Sequence, residues 1–173
     1  MFSPVKKKML KDATFGEFEL IEYRSIDRRF PIMNFFLDLW RDKGGEAKTI
    51  TRADINPLAM KKYLEHIVLI DIVRDGDSWN LVVRLIGGHV SAFYGEITGK
   101  DIREMGNAKA IERIYYAARH IMETEVPMLT ISPAYLPDKS FMEAVALYAP
   151  LFDNDKNVVK ILVAVNVSAF ATG

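Results

Sequence analysis

The chain has no cysteine among its 173 residues. That excludes disulfides, cysteine-ligated zinc, iron–sulfur clusters, a thiol nucleophile and any flavin photochemistry that needs a cysteine adduct. There is no surplus of charge either, since 23 Lys and Arg balance 23 Asp and Glu. Phosphate binding normally needs a basic excess or stripe, so nucleic acid is not an expected partner. No apolar run approaches the roughly 18 residues of a membrane span. The opening MFSPVKKKMLKDATFGEFEL has clustered lysines but no apolar stretch behind them, so it does not read as a signal peptide. A cytoplasmic protein is the resulting expectation. Gly-x-Ser-x-Gly, P-loop and Gly-x-Gly-x-x-Gly signatures are also missing. No catalytic residue is therefore expected, and the chain does not read as an enzyme. The three histidines, His66, His89 and His120, are scattered and form no ligand motif, so no metal site is expected.

What is present is apolar and patterned. Half the residues are hydrophobic, enough for a substantial core in one domain. Residues 1–30 are mixed and charged and read as an N-terminal extension, with the domain proper at 31–173. Pro31 opens a helix whose Ile32, Phe35, Phe36, Leu39 and Trp40 recur at helical spacing until Gly44-Gly45 stops it. Within TRADINPLAMKKYLEHI, Asp54 or Asn56 can cap a second helix that has Pro57 in its first turn and Leu58, Met60, Tyr63, Leu64 and Ile67 on its apolar side. The runs 67–73 and 79–86 flank a Gly-containing turn and predict a hairpin. Period 2 puts Trp79, Leu81, Val83 and Leu85 on one face and Asn80, Val82, Arg84 and Ile86 on the other. Residues 107–125 predict a long helix capped by Asn107, with Ile111, Ile114, Tyr115, Ala118, Ile121 and Met122 as its stripe and Arg113 on the solvated side. Three extended runs follow, separated by turn residues, which favours a meander. The sum is α+β with one antiparallel sheet.

The words FLDLW, TRADINPLAMKKYLEHIVLIDI, VVRLIGG and FYGEITGKDI stand in order on these elements. With the Arg-Leu-x-Gly and Gly-x-x-x-Thr-Gly spacings they resemble a PAS domain, and more narrowly the PAS-type family common in alphaproteobacteria. One departure is Gly88, where that family often has Thr. The resemblance implies a five-stranded antiparallel sheet with helices on one face enclosing a pocket. It also implies N-terminal helices on the other face or at a dimer interface. Val82, Ile86, Val158, Leu162 and Ala164 offer such a second apolar face, and Phe35, Phe36, Leu39 and Trp40 can cover it, within the chain or across a homodimer.

PAS domains are sensory and interaction modules, so the implied function is a standalone module that binds a small ligand or partner and signals through helix or dimer rearrangement. Output is then expected through a partner, a dimer interface or a separate output protein. The alternatives are a small-molecule enzyme on an α+β cavity fold and a ligand-free dimerisation adaptor. Candidate pocket residues are Arg84, His89, Phe93, Tyr94, Tyr115, Met122 and Tyr148, with Tyr135 as a further apolar group bearing a hydroxyl. Arg84 needs a partner in its apolar strand, with Glu143 expected and an anionic ligand as the alternative. Gly87-Gly88 reads as a turn requiring positive φ, or else as a place where backbone approaches a ligand. Haem ligation from the long helix would fall to His120, which lies off the core stripe, so haem is not expected and the cofactor stays open.

Overall fold

A computed structural model describes residues 19–26, 30–139 and 141–169. Six strands form one antiparallel sheet: β1 (Glu19–Glu22), β2 (Ile67–Asp75), β3 (Ser78–Ile86), β4 (Met128–Pro133), β5 (Met142–Phe152) and β6 (Val158–Ala169). Their order across the sheet is β1-β4-β5-β6-β2-β3. The count exceeds the expected five because Glu19–Glu22, from the stretch read as an extension, pairs with β4 and buries Leu20 and Ile21. The rest of that stretch up to residue 18 lies outside the described residues.

The hairpin and the meander form where the sequence places them. β2 and β3 are joined through a two-residue turn, Gly76-Asp77, between paired Asp75 and Ser78. Gly76 takes φ +59°, a conformation that favours glycine. β4, β5 and β6 follow one another in space, and β6 then closes against β2. Four strands therefore lie inside the sheet, and β5 is buried along nearly its whole length. A strand covered on both faces loses the polar–apolar alternation that marks a half-exposed one.

The two covers come from different parts of the chain. On one face lie α2 (Gly88–Tyr94) and α3 (Ala108–Thr124), with short 3-10 turns between and before them. On the other lies α1 (Pro31–Asp42), which contacts β5 and β6. Its Met33, Phe36, Leu37 and Trp40 are buried, and Trp40 Nε1 donates to the Pro150 carbonyl of β5 at 2.9 Å. Leu69 and its partner Leu162, with Leu147 on the same face of β5 opposite Ala164, are 1–3% exposed. The second apolar face is thus covered within one chain. Phe36 and Trp40 do the covering as expected, while Phe35 and Leu39 lie at its margin and Phe35 stacks on Tyr63 at 4.8 Å.

Three local expectations are corrected. The helix expected after a cap at Asp54 or Asn56 does not form, and the segment holds two 3-10 turns, Arg52–Asp54 and Lys61–His66. Asn56 Oδ1 accepts the Leu58 N–H as a cap would, but the chain continues as a turn and then 3-10 backbone, and Leu58 is left 82% exposed instead of on a buried face. On β3 the period slips. Leu69 faces Leu85 but Ile70 faces Val83, so Arg84 is the extra residue of a bulge. The bulge turns Ile86 away from the face of Val82 and toward the helix layer of α2 and α3. Gly87 and Gly88 do not have positive φ: Gly87 sits at φ −72° and caps α2. A Cβ on Gly87 would stand 2.3 Å from the Glu65 carbonyl oxygen and 2.5 Å from that of Leu64. The close approach is real, but it is to backbone of the same chain. Positive φ occurs instead at Gly95 and Gly99, where the chain turns back so that Gly99 N donates to Val83 O and Val83 N to Lys100 O along the free edge of β3.

Candidate functional site

The sheet supplies the floor of a small, partly open cavity through Val68, Ile70, Ile86, Val163 and Val165. α2 contributes Val90 and Tyr94, and the segment after it contributes Ile97, Ile102 and Met105. α3 closes the cavity with Arg113 and Ile114, and Tyr148 of β5 completes the wall. The volume open to the centre of a water-sized sphere is about 30 Å³, room for about two water molecules. Apart from one guanidinium and two phenols, the lining is aliphatic or thioether.

Arg113 is the unexpected member. It is 3% exposed, although its charge assigned it to the solvated side of α3. The buried stripe of α3 is Ala110, Arg113, Ile114, Ala117, Ala118 and Ile121, rotated from the expected one toward the small alanines. Those alanines bring the helix close to the sheet, and the arginine fills the space beside them. Its Nη1 donates to Ser132 Oγ at 2.9 Å, and Ser132 Oγ donates in turn to the Pro133 carbonyl. The guanidinium carbon lies 6.0 Å from the Tyr94 ring centroid and 5.6 Å from that of Tyr135, within cation–π range. Its Nε is buried and has no partner. Burial works against the charge, but the phenol oxygens of Tyr148, Tyr94 and Tyr135 favour it, and the pKa stays above the ordinary arginine value. The cation is retained.

Of the residues expected to line a pocket, the structure brings together Tyr94 and Tyr148. Tyr94 donates to the Ala134 carbonyl at 2.8 Å. Tyr148 is 1% exposed, and burial pushes its phenol upward. The others stand elsewhere. Arg84 is on the opposite face of the hairpin, its side chain 56% exposed, and its Nε pairs with Asp71 Oδ2 at 2.5 Å. Lys160 pairs with the other oxygen of Asp71. Burial would raise the pKa of Asp71, but the hydrogen bonds and charges of Lys160 and Arg84 hold it below the usual carboxylate range. Glu143 is therefore not the partner. It lies on β5, two strands from β2 and three from β3, a distance fixed by strand order and invisible in the sequence. Tyr115 packs on Trp79 at 5.3 Å, outside the cavity. Met122 is half-buried on α3 and does not line the cavity. Phe93 packs edge-on to His89, with the Lys139 ammonium 5.4 Å from its ring.

His89 joins a second cluster. Its ring lies 4.2 Å from that of His66, and its Nε2 accepts the Val167 N–H at 3.1 Å. His66 Nδ1 lies 3.0 Å from the Val165 carbonyl, and its Nε2 lies 3.3 Å from Glu65. The pair ties α2 and the turn before β2 to β6. Burial, then the neighbouring His66, lowers the His89 pKa, with Glu65 acting weakly in the opposite sense. An imidazole that accepts from a backbone N–H must be neutral at that nitrogen, so protonation removes the bond. Its folded pKa is below its unfolded one. This contribution to stability is therefore complete above about pH 6.5 and is lost as pH falls through the folded pKa. Unfolding free energy measured from pH 7.5 to 5 is expected to decline more steeply in the parent than in His89→Gln. Equal slopes would exclude His89 as the source.

Among the described residues no group of three or more His, Cys, Asp or Glu is placed to hold a metal ion. His120 does not line the cavity. No helix among them is long and apolar enough to cross a membrane.

A family model for the PAS domain matches residues 30–165. No curated protein matches the chain. Among solved structures, a crystal structure of a sensory box sensor histidine kinase from Vibrio cholerae is similar at TM-score 0.45 and 16% identity, over 65% of this chain and 92% of that one. The family match spans α1, the β2–β3 hairpin, every lining residue of the cavity and most of the β4–β6 meander. The chain belongs to the PAS domain family.

Proposed function

We propose that this PAS domain is a sensory module in which a small ligand in the cavity shifts the packing of α1 on the opposite face of the sheet. The altered α1 is then read by a second copy of the chain or by a separate output protein. One observation carries the reading. β5 presents Tyr148 to the cavity, and two residues on its Pro150 carbonyl accepts the Trp40 indole of α1. A ligand that moves Tyr148 therefore acts on the strand that anchors α1. To do so it must bind one arrangement better than the other.

The test compares protein as purified with protein refolded from denaturant to strip bound small molecules. Native mass spectrometry reports any co-purified mass, and hydrogen exchange reports residues 31–42. The expected result is a bound small molecule and slower exchange in α1 when it is present. A bound mass with identical α1 exchange and identical oligomeric state would remove the signalling step.

The small volume of the cavity favours a second reading, a ligand-free interaction module with a filled core. Only the bare chain mass would then be seen. The cavity lining offers no carboxylate or imidazole, so it lends nothing to the enzyme alternative.

A further inference from the structure

We infer that the cavity takes a small carboxylate-class anion, with its head held by Arg113 and its short alkyl part held by the aliphatic wall. The inference rests on the sensory reading of the cavity and names the chemistry of its ligand.

Arginine is almost never fully buried unless it is paired. Arg113 is 3% exposed, and among the described residues it forms no ion pair with any carboxylate. A guanidinium has five N–H donors and no acceptor. Here Nη1 is used by Ser132, and Nε is left without a partner. The surrounding hydroxyls offer lone pairs but no negative charge: the phenol oxygens of Tyr94 and Tyr148 favour the cation, and the Tyr135 hydroxyl and Thr130 Oγ1 are buried and unpartnered. Thr130 and Ser132 stand on the sheet face that Tyr148 presents to the cavity. Neutral hydroxyls and aromatic rings offset part of the cost of burying Arg113, and an opposite charge with matching hydrogen bonds offsets more. A carboxylate supplies both, because its two oxygens fit the planar fork of a guanidinium.

The remainder of the site sets the rest of the ligand. Val68, Ile70, Ile86, Val163 and Val165 offer methyl and methylene groups only. The open space of about 30 Å³ leaves no room for a ring system or a second charged group. A cation would meet Arg113 directly, and a neutral ligand would leave its charge uncompensated.

The probes are sodium propionate and its neutral relative propionamide, at constant ionic strength. Binding is followed by calorimetry and by the nitrogen-15 signal of the Arg113 side-chain N–H. The full chain is used, with Arg113→Met keeping volume and removing charge. Propionate is expected to shift the Arg113 signal saturably, with propionamide at least about tenfold weaker. Arg113→Met is expected to lose roughly 30-fold or more in propionate affinity. If the variant does not fold, the acid–amide ratio and the Arg113 signal in the parent decide alone.

Equal binding of acid and amide, or undiminished propionate binding by Arg113→Met, overturns the anion inference and leaves a ligand-binding cavity intact. Failure of both probes combined with a neutral co-purified mass does the same. Failure of both probes with no co-purified mass removes both the inference and the sensory reading beneath it.

Discussion

Trp40→Ala is expected to cost about 3–5 kcal/mol of unfolding free energy, the range for truncating a fully buried tryptophan. Trp40 is completely buried, and its indole N–H is committed to the Pro150 carbonyl. The indole also lies flat against Gly45, where a Cβ would meet the ring at 2.2 Å. Truncation leaves a cavity under α1 and an unsatisfied carbonyl on β5, two penalties in one place. Phe36 and Leu37 hold the rest of α1, so the chain is expected to fold with α1 loosened. Urea titration should show a lower midpoint, and hydrogen exchange should accelerate in residues 31–42 first. A loss under about 1 kcal/mol would mean that α1 is not packed on the sheet as described. The chain has only two tryptophans, Trp40 and Trp79. Trp79→Phe therefore makes Trp40 fluorescence a direct report on α1 docking.

Gly87→Ala is expected to cost about 3 kcal/mol, and Gly88→Ala to change stability by about 0.5 kcal/mol or less. The contrast follows from what a new methyl group would meet. At Gly87 it meets backbone carbonyls of Leu64 and Glu65, which cannot rotate away. At Gly88 it meets nothing within 4 Å. Gly87 N also donates to the Ile67 carbonyl at 2.8 Å, so the methyl would push apart β3, β2 and the turn before β2. α2 begins at the next residue and carries Val90 and Tyr94 into the cavity and His89 onto Val167. A displaced α2 disturbs all three. Denaturation midpoints of the two single variants check the contrast, and equal effects would refute the close approach at Gly87.

These two sites show where reading the sequence succeeds and where it stops. The helix of Trp40 is legible because Pro31 and Gly44-Gly45 mark its ends and its apolar residues share a face. The long helix is legible from Asn107, whose side chain accepts the Ala110 N–H. The hairpin is legible from its turn. Gly87 is legible as a punctuation point, but the reason for it is not, because the carbonyls it meets come from a turn twenty-odd residues earlier. Arg84 is legible as a residue needing a partner. The partner is not, since only strand order places Asp71 beside it and Glu143 far away. The bulge at Arg84 also reverses the face of Ile86, which strict alternation assigns to the other side.

The candidate site was less legible than the fold. Tyr94 and Tyr148 were readable because aromatic groups near a strand end and within a central strand must pack somewhere. Arg113 was not, because helical patterning sends every charge to solvent by default. Its signal in hindsight is the pair Ala110 and Ala117, three residues before and four after it, which mark a close-packed side of α3 on which a long side chain can be buried.

The sequence by itself determined α1, α3, the hairpin and the meander, the α+β class, the PAS resemblance and the exclusion of cysteine chemistry, because caps, turns and periodicity act over a few residues. Tertiary structure alone decided the sixth strand, the partner of Arg84, the steric demand at Gly87 and the burial of Arg113. Each of these depends on groups far apart in the chain that meet only when the sheet closes β6 against β2 and α3 settles onto it.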